Sequence, residues 1–397
     1  MVGSSKASSA NRDRAMKVLD LINTSESAKE LLLGRALDLR ARHGVEAHIL
    51  CSPGAYVNPM REAGIVVHIL DTPRTMRPFA LTRSYLELIR LLRRERYDIL
   101  HSHGSVLGLL TRLARPFTTA AIVHTVHGFH FHERMPRTRR ILYRAAERLL
   151  AGRTDLILSQ NREDLGVLRG WRLRGRVEWI GNGIPLPEVS FSYRAEAKAE
   201  YLLCCIARFE PVKNHRMLFD AFAGVLAAGV RARLVCFGAG ELLGEMKGYV
   251  RDLGVLDSVD FRGYVDQVIP HLGDVDLHVL TSEKEGLPRA LMETMAVGIP
   301  SVATDVKGTS EVVVDGVTGR LVPLGDAATF ADTVAGLLRD PNQRSRMSRA
   351  CMARAREQYD EASVSDRLAR FYSTLREAHE AGEAGDVEIC GKYSCSS

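Results

Sequence analysis

The chain alternates short apolar, β-branched runs with longer stretches whose apolar residues recur every three to four positions. The short runs predict strands and the 3.6-residue period predicts helices. In the first half, strands are predicted at 17–23, 45–51, 65–70, 98–101, 122–125, 155–159 and 177–180. Tyr85, Leu88, Ile89 and Leu92 mark a helix between two of them, with Arg83, Arg90 and Arg94 interspersed. The stretch GNGIPLPEVSFSYRAEAK, from Gly181 on, breaks the rhythm and reads as an interdomain hinge. The alternation then restarts, with strands predicted at 202–207, 233–237, 259–261, 277–280, 301–304 and 319–322. Strand–helix alternation implies parallel sheets wound on both faces, hence two doubly wound, Rossmann-like α/β domains. Ligands of such sheets bind at the carboxyl ends of the strands, and two facing domains place a ligand in the cleft between them.

Composition supports this picture and adds an asymmetry. With 397 residues, 46% hydrophobic and 26% charged, the chain is long enough for two full cores. No apolar run approaches the roughly 20 residues that span a bilayer. The N-terminal MVGSSKASSANRDRA lacks the apolar segment of a secretory signal, and no Gly follows Met1 for myristoylation. The seven cysteines are scattered without a C-x-x-C pair, and Cys204 and Cys205 lie inside an apolar run as small hydrophobes. A reduced, cytoplasmic chain without structural zinc is expected. Counting Lys and Arg against Asp and Glu, residues 1–190 carry +12 and residues 191–397 carry −6, within a net +6. That split suggests that the first half meets something anionic; solvated Arg on helix faces is the alternative.

The polar residues of interest follow the predicted strands. After LLCCIA come Arg208 and Lys213, two cations before a helix expected near His215, a set that suits a diphosphate or a plain solvated helix start. After ARLVCF come Gly238 and Gly240, whose missing side chains let a backbone approach phosphate oxygens. The spacing G-x-G-x-x-x-G, after the second strand of its domain, does not fit a dinucleotide fingerprint. After DLHVLTS comes EKEGLPRALMETMAVGIPSVATDVKG, with seven residues between Glu285 and Glu293. Pro288 suits the first turn of a helix, which leaves Glu285 in the loop and Glu293 just over a turn in. The two acids are a catalytic pair, a metal site, or two grips on one hydroxyl-rich ligand. A cap and a solvated side chain is the plainer alternative. In the first half, His101, His103, His127, His130 and His132 follow strands and would line the cleft mouth. Their spacings do not share one helix face and no Cys or Asp completes a shell, so no metal is expected. His127, followed by Gly128, stands out.

Taken together, Arg208 with Lys213, the Gly238 loop, GYV at 263–265, EGLPRALMETMAVGIPSVAT and EVVVDGVTGRLVP resemble the retaining glycosyltransferases of family 4. HTVHGFHF and IGNGI match the same family on the acceptor side, and the resemblance covers about residues 16–375. It implies the GT-B architecture. The expected layout is a flexible tail over 1–15, an acceptor domain over 16–187 and a nucleotide-sugar domain over 188–360. A helix over 361–380 would cross back to the first domain, and a flexible tail would follow from 381. The resemblance assigns the diphosphate to Arg208 and Lys213, beside the Gly238 and Gly240 loop. It assigns the ribose hydroxyls to Glu293, and the donor sugar to Glu285 with the backbone of Gly286, Leu287, Pro288 and Arg289. Tyr264 and Val265 would flank the base, and His127 would reach the donor sugar from the first domain. Gly308 and Glu311 would line the same cleft, and His103, Gly128 and Phe129 the acceptor side. Many members carry a Gly-Gly loop after the first strand. Here the chain reads NTSESAKELLL, where Asn23 and Thr24 would offer polar groups at a helix start.

The implied reaction moves a sugar from a UDP- or GDP-sugar to an acceptor hydroxyl, keeping the α configuration, in glycan or glycosylated natural-product biosynthesis. Glu285 and Glu293 are committed to sugar and ribose, which leaves no spare acid pair for a double displacement. Attack on the front face is then expected, with the departing diphosphate taking the proton and Arg208, Lys213 and helix N-termini holding its charge. The donor is substrate, and neither cofactor nor metal is expected. Rivals are a sugar-nucleotide epimerase or hydrolase, and a non-enzymatic protein for anionic surfaces. Sparse aromatics near the Arg-rich helices argue against nucleic acid. Arg134, Arg137, Arg139, Arg140, Arg144 and Arg148 follow HGFHFHE. A helix from 137 would carry Ile141, Leu142, Ala145 and Leu149 on its apolar side and turn a stripe of Arg137, Arg140, Arg144 and Arg148 toward a phosphorylated or lipid-linked acceptor, or a membrane surface. A cytoplasmic enzyme, peripheral on the inner membrane face, follows from the last option, with a small-molecule acceptor as the alternative.

Overall fold

The computed structural model describes residues 14–72, 78–129, 137–171, 176–187 and 196–381. The predicted tails lie largely outside these residues, as do His130, His132 and Arg134. The chain forms two compact units, Met1–Gly181 with Ala362–Ser397, and Asn182–Glu361.

Among the described residues, the first unit holds seven parallel strands: β1 (Lys17–Leu21), β2 (Glu46–Cys51), β3 (Val66–Ile69), β4 (Ile99–His103), β5 (Ala121–Val126), β6 (Leu156–Ser159) and β7 (Arg176–Trp179). Their order is β3-β2-β1-β4-β5-β6-β7, with every neighbouring pair parallel. Sheets buried on both faces read as continuous apolar runs, which is why ILHSH and AIVHTV are buried at every position. One face carries Val18, Ile49, Ile99 and Val123 beneath α1 (Gly34–His43); the other carries Leu19, Leu50 and Leu100 beneath α2 (Pro78–Arg94). In α2, Leu88, Ile89 and Leu92 point inward, and the Tyr85 hydroxyl donates at 3.0 Å to the carbonyl of Leu113, the last residue of α3 (Ser105–Leu113). The chain leaves β1 through Thr24, whose hydroxyl caps a helix by accepting the Ser27 N–H at 3.2 Å.

Among the described residues, the second unit holds β8 (Tyr201–Ile206), β9 (Ala232–Phe237), β10 (Val259–Gly263), β11 (Leu277–Leu280), β12 (Ser301–Thr304) and β13 (Gly319–Val322). The order is β10-β9-β8-β11-β12-β13, again all parallel. Cys204 and Cys205 face opposite sides of β8 and are buried in separate apolar clusters. The last helix, Glu361–Ala381, belongs to the first unit, where Val364, Leu368 and Tyr372 enter the core under β1 and β4. In both sheets the strand order reverses once, between β1 and β4 and between β8 and β11. The crevice beyond the strand ends at that point is where open α/β sheets take ligands.

The helix expected from 137 is α4 (Arg137–Ala151), and Ile141, Leu142 and Leu149 of its apolar side are 66, 71 and 78% exposed. Periodicity marks an apolar stripe but not whether anything covers it. The helix is held by Leu150 and Ala151 in the core, and by Arg112, whose guanidinium donates to Glu147 at 2.7 Å.

Candidate functional site

The second unit's switch point is built from three loops. After β8 the chain makes a short turn over Pro211–Lys213, and Asn214 then takes a left-handed conformation (φ 48°) to open α5 (His215–Ala227). Asn tolerates that region better than most residues. After β11, the Thr281 hydroxyl donates to the carbonyls of Lys213 and Asn214 at 3.2 and 3.0 Å, and the Glu283 N–H donates to Val212 at 2.8 Å. The Glu285 N–H donates to Lys307 in the loop after β12. The loop bearing Glu285 is therefore clamped from both sides.

That clamp brings Lys213 Nζ to 2.6 Å from Glu285 Oε1, and the same oxygen accepts from the Ser282 hydroxyl at 2.6 Å. Thr304 fixes the Ser282 backbone by donating to its carbonyl. Arg208, expected to share a diphosphate with Lys213, instead meets Glu210 at 2.8 Å and is mostly exposed. Each cation is thus held by its own carboxylate. Gly286 and Leu287 lead into α6 (Arg289–Ala296), and Pro288 occupies the N-cap instead of the first helical turn. No side chain caps α6, and the Leu291 and Met292 N–H groups donate to the Pro288 carbonyl at 3.2 and 3.4 Å. Arg289 Nε donates to Glu293 Oε1 at 2.8 Å, one turn along. Gly308 (φ 87°) packs on this segment so closely that a Cβ would lie 2.5 Å from the Gly286 carbonyl oxygen.

Gly238 and Gly240 let two backbone segments meet closely. A Cβ on either would lie 2.0 or 2.5 Å from the carbonyl oxygen of Ala207 or Phe209. The room they leave is filled by the chain bearing Arg208, and the Phe209 N–H is tied to Ala239 at 3.0 Å. Tyr264 is exposed beyond β10, while Val265 packs into the apolar cluster beside it.

In the first unit, the expectation that no Asp completes the histidine set is overturned. Asp20, His101 and His103 bring ligand atoms within 4.8 Å of one another. β1 pairs Asp20 with His101, and His103 lies on the same face two residues on. The ring nitrogens already have partners: His101 meets Tyr372 and Thr125, and His103 meets Asp20 and His127. His101 and His103 are buried within β4 and do not line an open mouth. Phe129 is likewise buried, against Trp171 (centroids 5.2 Å apart), with its N–H donating to Asp164. Half-buried His127 and Gly128 remain partly open. Asn23 holds a buried side-chain oxygen without a partner beside the capping Thr24.

Burial lowers the His127 pKa to about 3, helped by His103 and Arg35, so the ring is neutral at ordinary pH. A neutral imidazole gives or takes a hydrogen bond and supplies no charge. Burial raises Asp20 to about 7 against the opposing field of Arg35. Sequence reasoning missed Asp20, Arg35, Gln160, Ser282 and Thr281. A lone acid inside the apolar run KVLDL was the available signal for Asp20.

Two family models match consecutive parts of the chain. "Glycosyl transferase 4-like domain" covers residues 32–183 and "Glycosyl transferases group 1" covers residues 190–354. The chain is 26% identical over 273 residues to the UDP-Gal:alpha-D-GlcNAc-diphosphoundecaprenol alpha-1,3-galactosyltransferase of Escherichia coli (65% of this chain, 70% of that protein). It is 21% identical over 378 residues to the capsular polysaccharide biosynthesis glycosyltransferase CapM of Staphylococcus aureus (92 and 98%). The crystal structure of Anabaena HepE in complex with UDP-glucose superposes with a TM-score of 0.75 at 21% identity, covering 90% of this chain and all of that one. With both halves matched in order, and both sheets wound as in that fold, the chain belongs to the family 4-type glycosyltransferases of GT-B architecture.

Proposed function

We propose that the enzyme transfers a sugar from a nucleoside-diphosphate sugar, UDP- or GDP-linked, to an acceptor hydroxyl with retention of configuration and without a metal ion. The observation that carries this is the Lys213–Glu285 pair at the second sheet's switch point, beside the uncapped start of α6. Lys213 uses one of its three N–H donors on Glu285 and has two for phosphate oxygens. Arg208, mostly exposed, is able to swing from Glu210 to the same anion. The N–H groups at the start of α6 add to the field that holds charge on the leaving diphosphate. Glu285 and Glu293 act as hydroxyl acceptors, since one is tied to Lys213 and Ser282 and the other to Arg289. That leaves neither placed as the nucleophile of a double displacement, so attack on the front face with the diphosphate as base is the consistent route. The UDP-glucose complex of HepE and the UDP-Gal donor named for the E. coli relative support a UDP-sugar.

The test is a panel of UDP- and GDP-sugars with lipid-linked and small acceptors, in excess chelator. The anomeric configuration of the product is then read by NMR. An α product formed in chelator supports the proposal. A β product, or activity restored only by a divalent ion, overturns it, and donor consumption without acceptor favours an epimerase or hydrolase.

A membrane surface as partner is favoured by α4. Arg137, Arg144 and Arg148 lie exposed on the same helix as exposed Ile141, Leu142 and Leu149. A helix with basic residues beside an uncovered apolar stripe suits the interface of an anionic bilayer. A lipid-diphosphate acceptor, as named for the E. coli relative, would be met there. Among the described residues no helix is long and apolar enough to cross a membrane. Co-sedimentation with anionic vesicles at low and high salt tests this: absence of binding at low salt rejects it.

A further inference from the structure

The first unit contains a line of polar side chains that the donor site does not use. Asp20 Oδ1 lies 3.1 Å from His103 Nε2, and His103 Nδ1 lies 2.9 Å from His127 Nε2. Asp20 and His103 are buried, and His127 is the member that reaches partial exposure. The line starts in the β1–β4 pair, at the sheet's switch point. The other groups around it are Arg35 from α1, His101 from β4, His124 and Thr125 from β5, Gln160 after β6, and Tyr372 from the last helix.

Two ring nitrogens 2.9 Å apart need one N–H and one lone pair. Burial holds both rings neutral, with one proton each, so the choice at one nitrogen fixes the other. With Asp20 ionised, His103 donates Nε2–H to the carboxylate, its bare Nδ1 accepts Nε2–H from His127, and Nδ1 of His127 is a lone pair. With Asp20 protonated, its O–H donates to Nε2 of His103, Nδ1–H of His103 donates to Nε2 of His127, and Nδ1 of His127 carries the proton. In going from the acid to the ionised form, the Asp20 proton moves to His103 Nε2 and the His103 Nδ1 proton moves to His127 Nε2. The His127 Nδ1 proton leaves to water. Neither ring changes charge, and one proton is lost overall.

We propose that Asp20 and His103 are positioning residues that set whether Nδ1 of His127 offers a proton or a lone pair to a bound substrate hydroxyl. The substrate half of this rests on the reading of His127 as a substrate contact given above. Gln160 fits the relay: its side-chain oxygen is hydrogen-bonded to His127, and its side-chain NH2 is buried without a partner. An amide presents either its oxygen or its NH2, so it suits both states. With Asp20 raised to about 7, the two states exchange near neutral pH. A buried carboxylate that selects the tautomer of a working imidazole is an arrangement of proven consequence in hydrolases.

The experiment is a long-range proton–nitrogen NMR titration of the full chain carrying 15N-histidine, from pH 5.5 to 8.5. His127→Gln and His103→Gln supply the assignments. In the wild type, the protonated and bare signals of the His127 nitrogens should exchange places with a midpoint near 7 while the ring stays neutral. In Asp20→Asn that response should vanish. The matching pH step in kcat/KM should vanish with it, and kcat/KM should fall about ten- to hundredfold, the scale for losing an outer partner of a functional imidazole. A His127 tautomer that stays fixed in the wild type, or one that still responds in Asp20→Asn, overturns the relay. The NMR readout needs neither donor nor acceptor, so it decides the relay even if glycosyl transfer fails. A tautomer switch without any pH effect on kcat/KM overturns the substrate half instead. If Asp20→Asn does not fold, the wild-type titration alone decides.

Discussion

Lys213→Ala separates the chemistry of the second unit from its architecture. Lys213 Nζ is 2.6 Å from Glu285 Oε1, and the two side chains are 17 and 10% exposed. In the transition state, charge grows on the leaving diphosphate, so the cation's grip strengthens as the bond breaks. A hydrogen bond to a charged group contributes about 1.5–3 kcal/mol, and 1.36 kcal/mol is tenfold in rate, so kcat should fall about 10- to 150-fold. The same deletion leaves the Glu285 carboxylate with the Ser282 hydroxyl and no cation, a loss of about 1–3 kcal/mol in folding. For a unit of this size each kcal/mol lowers Tm by about 2–4 °C. Adding Glu285→Gln removes the stranded charge, so the double variant should recover much of the lost Tm but none of the lost kcat. The assay is release of UDP or GDP under steady state, beside thermal unfolding with and without UDP. If Lys213→Ala lowers Tm but leaves kcat, kcat/KM and UDP stabilisation intact, the pair is architectural and the diphosphate assignment is wrong.

Three further outcomes follow from the geometry. Half-buried His127, and His278 buried in the second sheet, are neutral with pKa values of about 3, below about 6.5 when unfolded. Stability should therefore fall as pH drops below 6.5, by up to about 1.4 kcal/mol per pH unit for each ring, measured by urea unfolding between pH 5 and 7. A flat profile would refute it. Asp20 has the opposite sign: its folded pKa of about 7 exceeds the unfolded value, so its contribution is lost as pH rises toward 7. Asp20→Asn should gain about 2–3 kcal/mol more over wild type at pH 8 than at pH 5, and an equal effect at both would contradict the raised pKa. Gly308→Ala, whose Cβ would meet the Gly286 carbonyl at 2.5 Å, should displace the 285–288 loop and raise donor KM at least as much as it lowers Tm. Unchanged KM would show the loop to be outside the donor site.

The sequence made some of these residues easy to find and hid others for a physical reason. Parallel strands buried on both faces leave continuous apolar runs, so each strand from LLCCI to SVAT could be placed from the chain alone. Residues just past a strand end are then placed with it, which is why Lys213 and Glu285 were both marked. Their direct pairing is not visible, because it depends on β8 lying beside β11, with the partners 72 positions apart in the chain. Asp20 was hidden in the same way. Its acid sits in an apolar run, and only the pairing of β1 with β4 shows that His101 and His103 share its face.

The helix α4 shows a second limit. Its apolar period is legible in the chain, but periodicity states that a face is apolar and leaves open what covers it. The bare stripe locates the partner question. Exposed Leu142 and Leu149 beside exposed Arg144 and Arg148 are a costly surface to keep bare in water, where each large side chain forgoes about 1.5–3 kcal/mol of burial. Leu142→Asp with Leu149→Asp leaves the buried Leu150 and Ala151 contacts in place. It should therefore spare Tm and turnover on a soluble acceptor while abolishing low-salt binding to anionic vesicles. A bilayer contact made through Arg alone would survive the double substitution and respond to salt only. If vesicle binding is unchanged, the apolar stripe is not what meets the membrane.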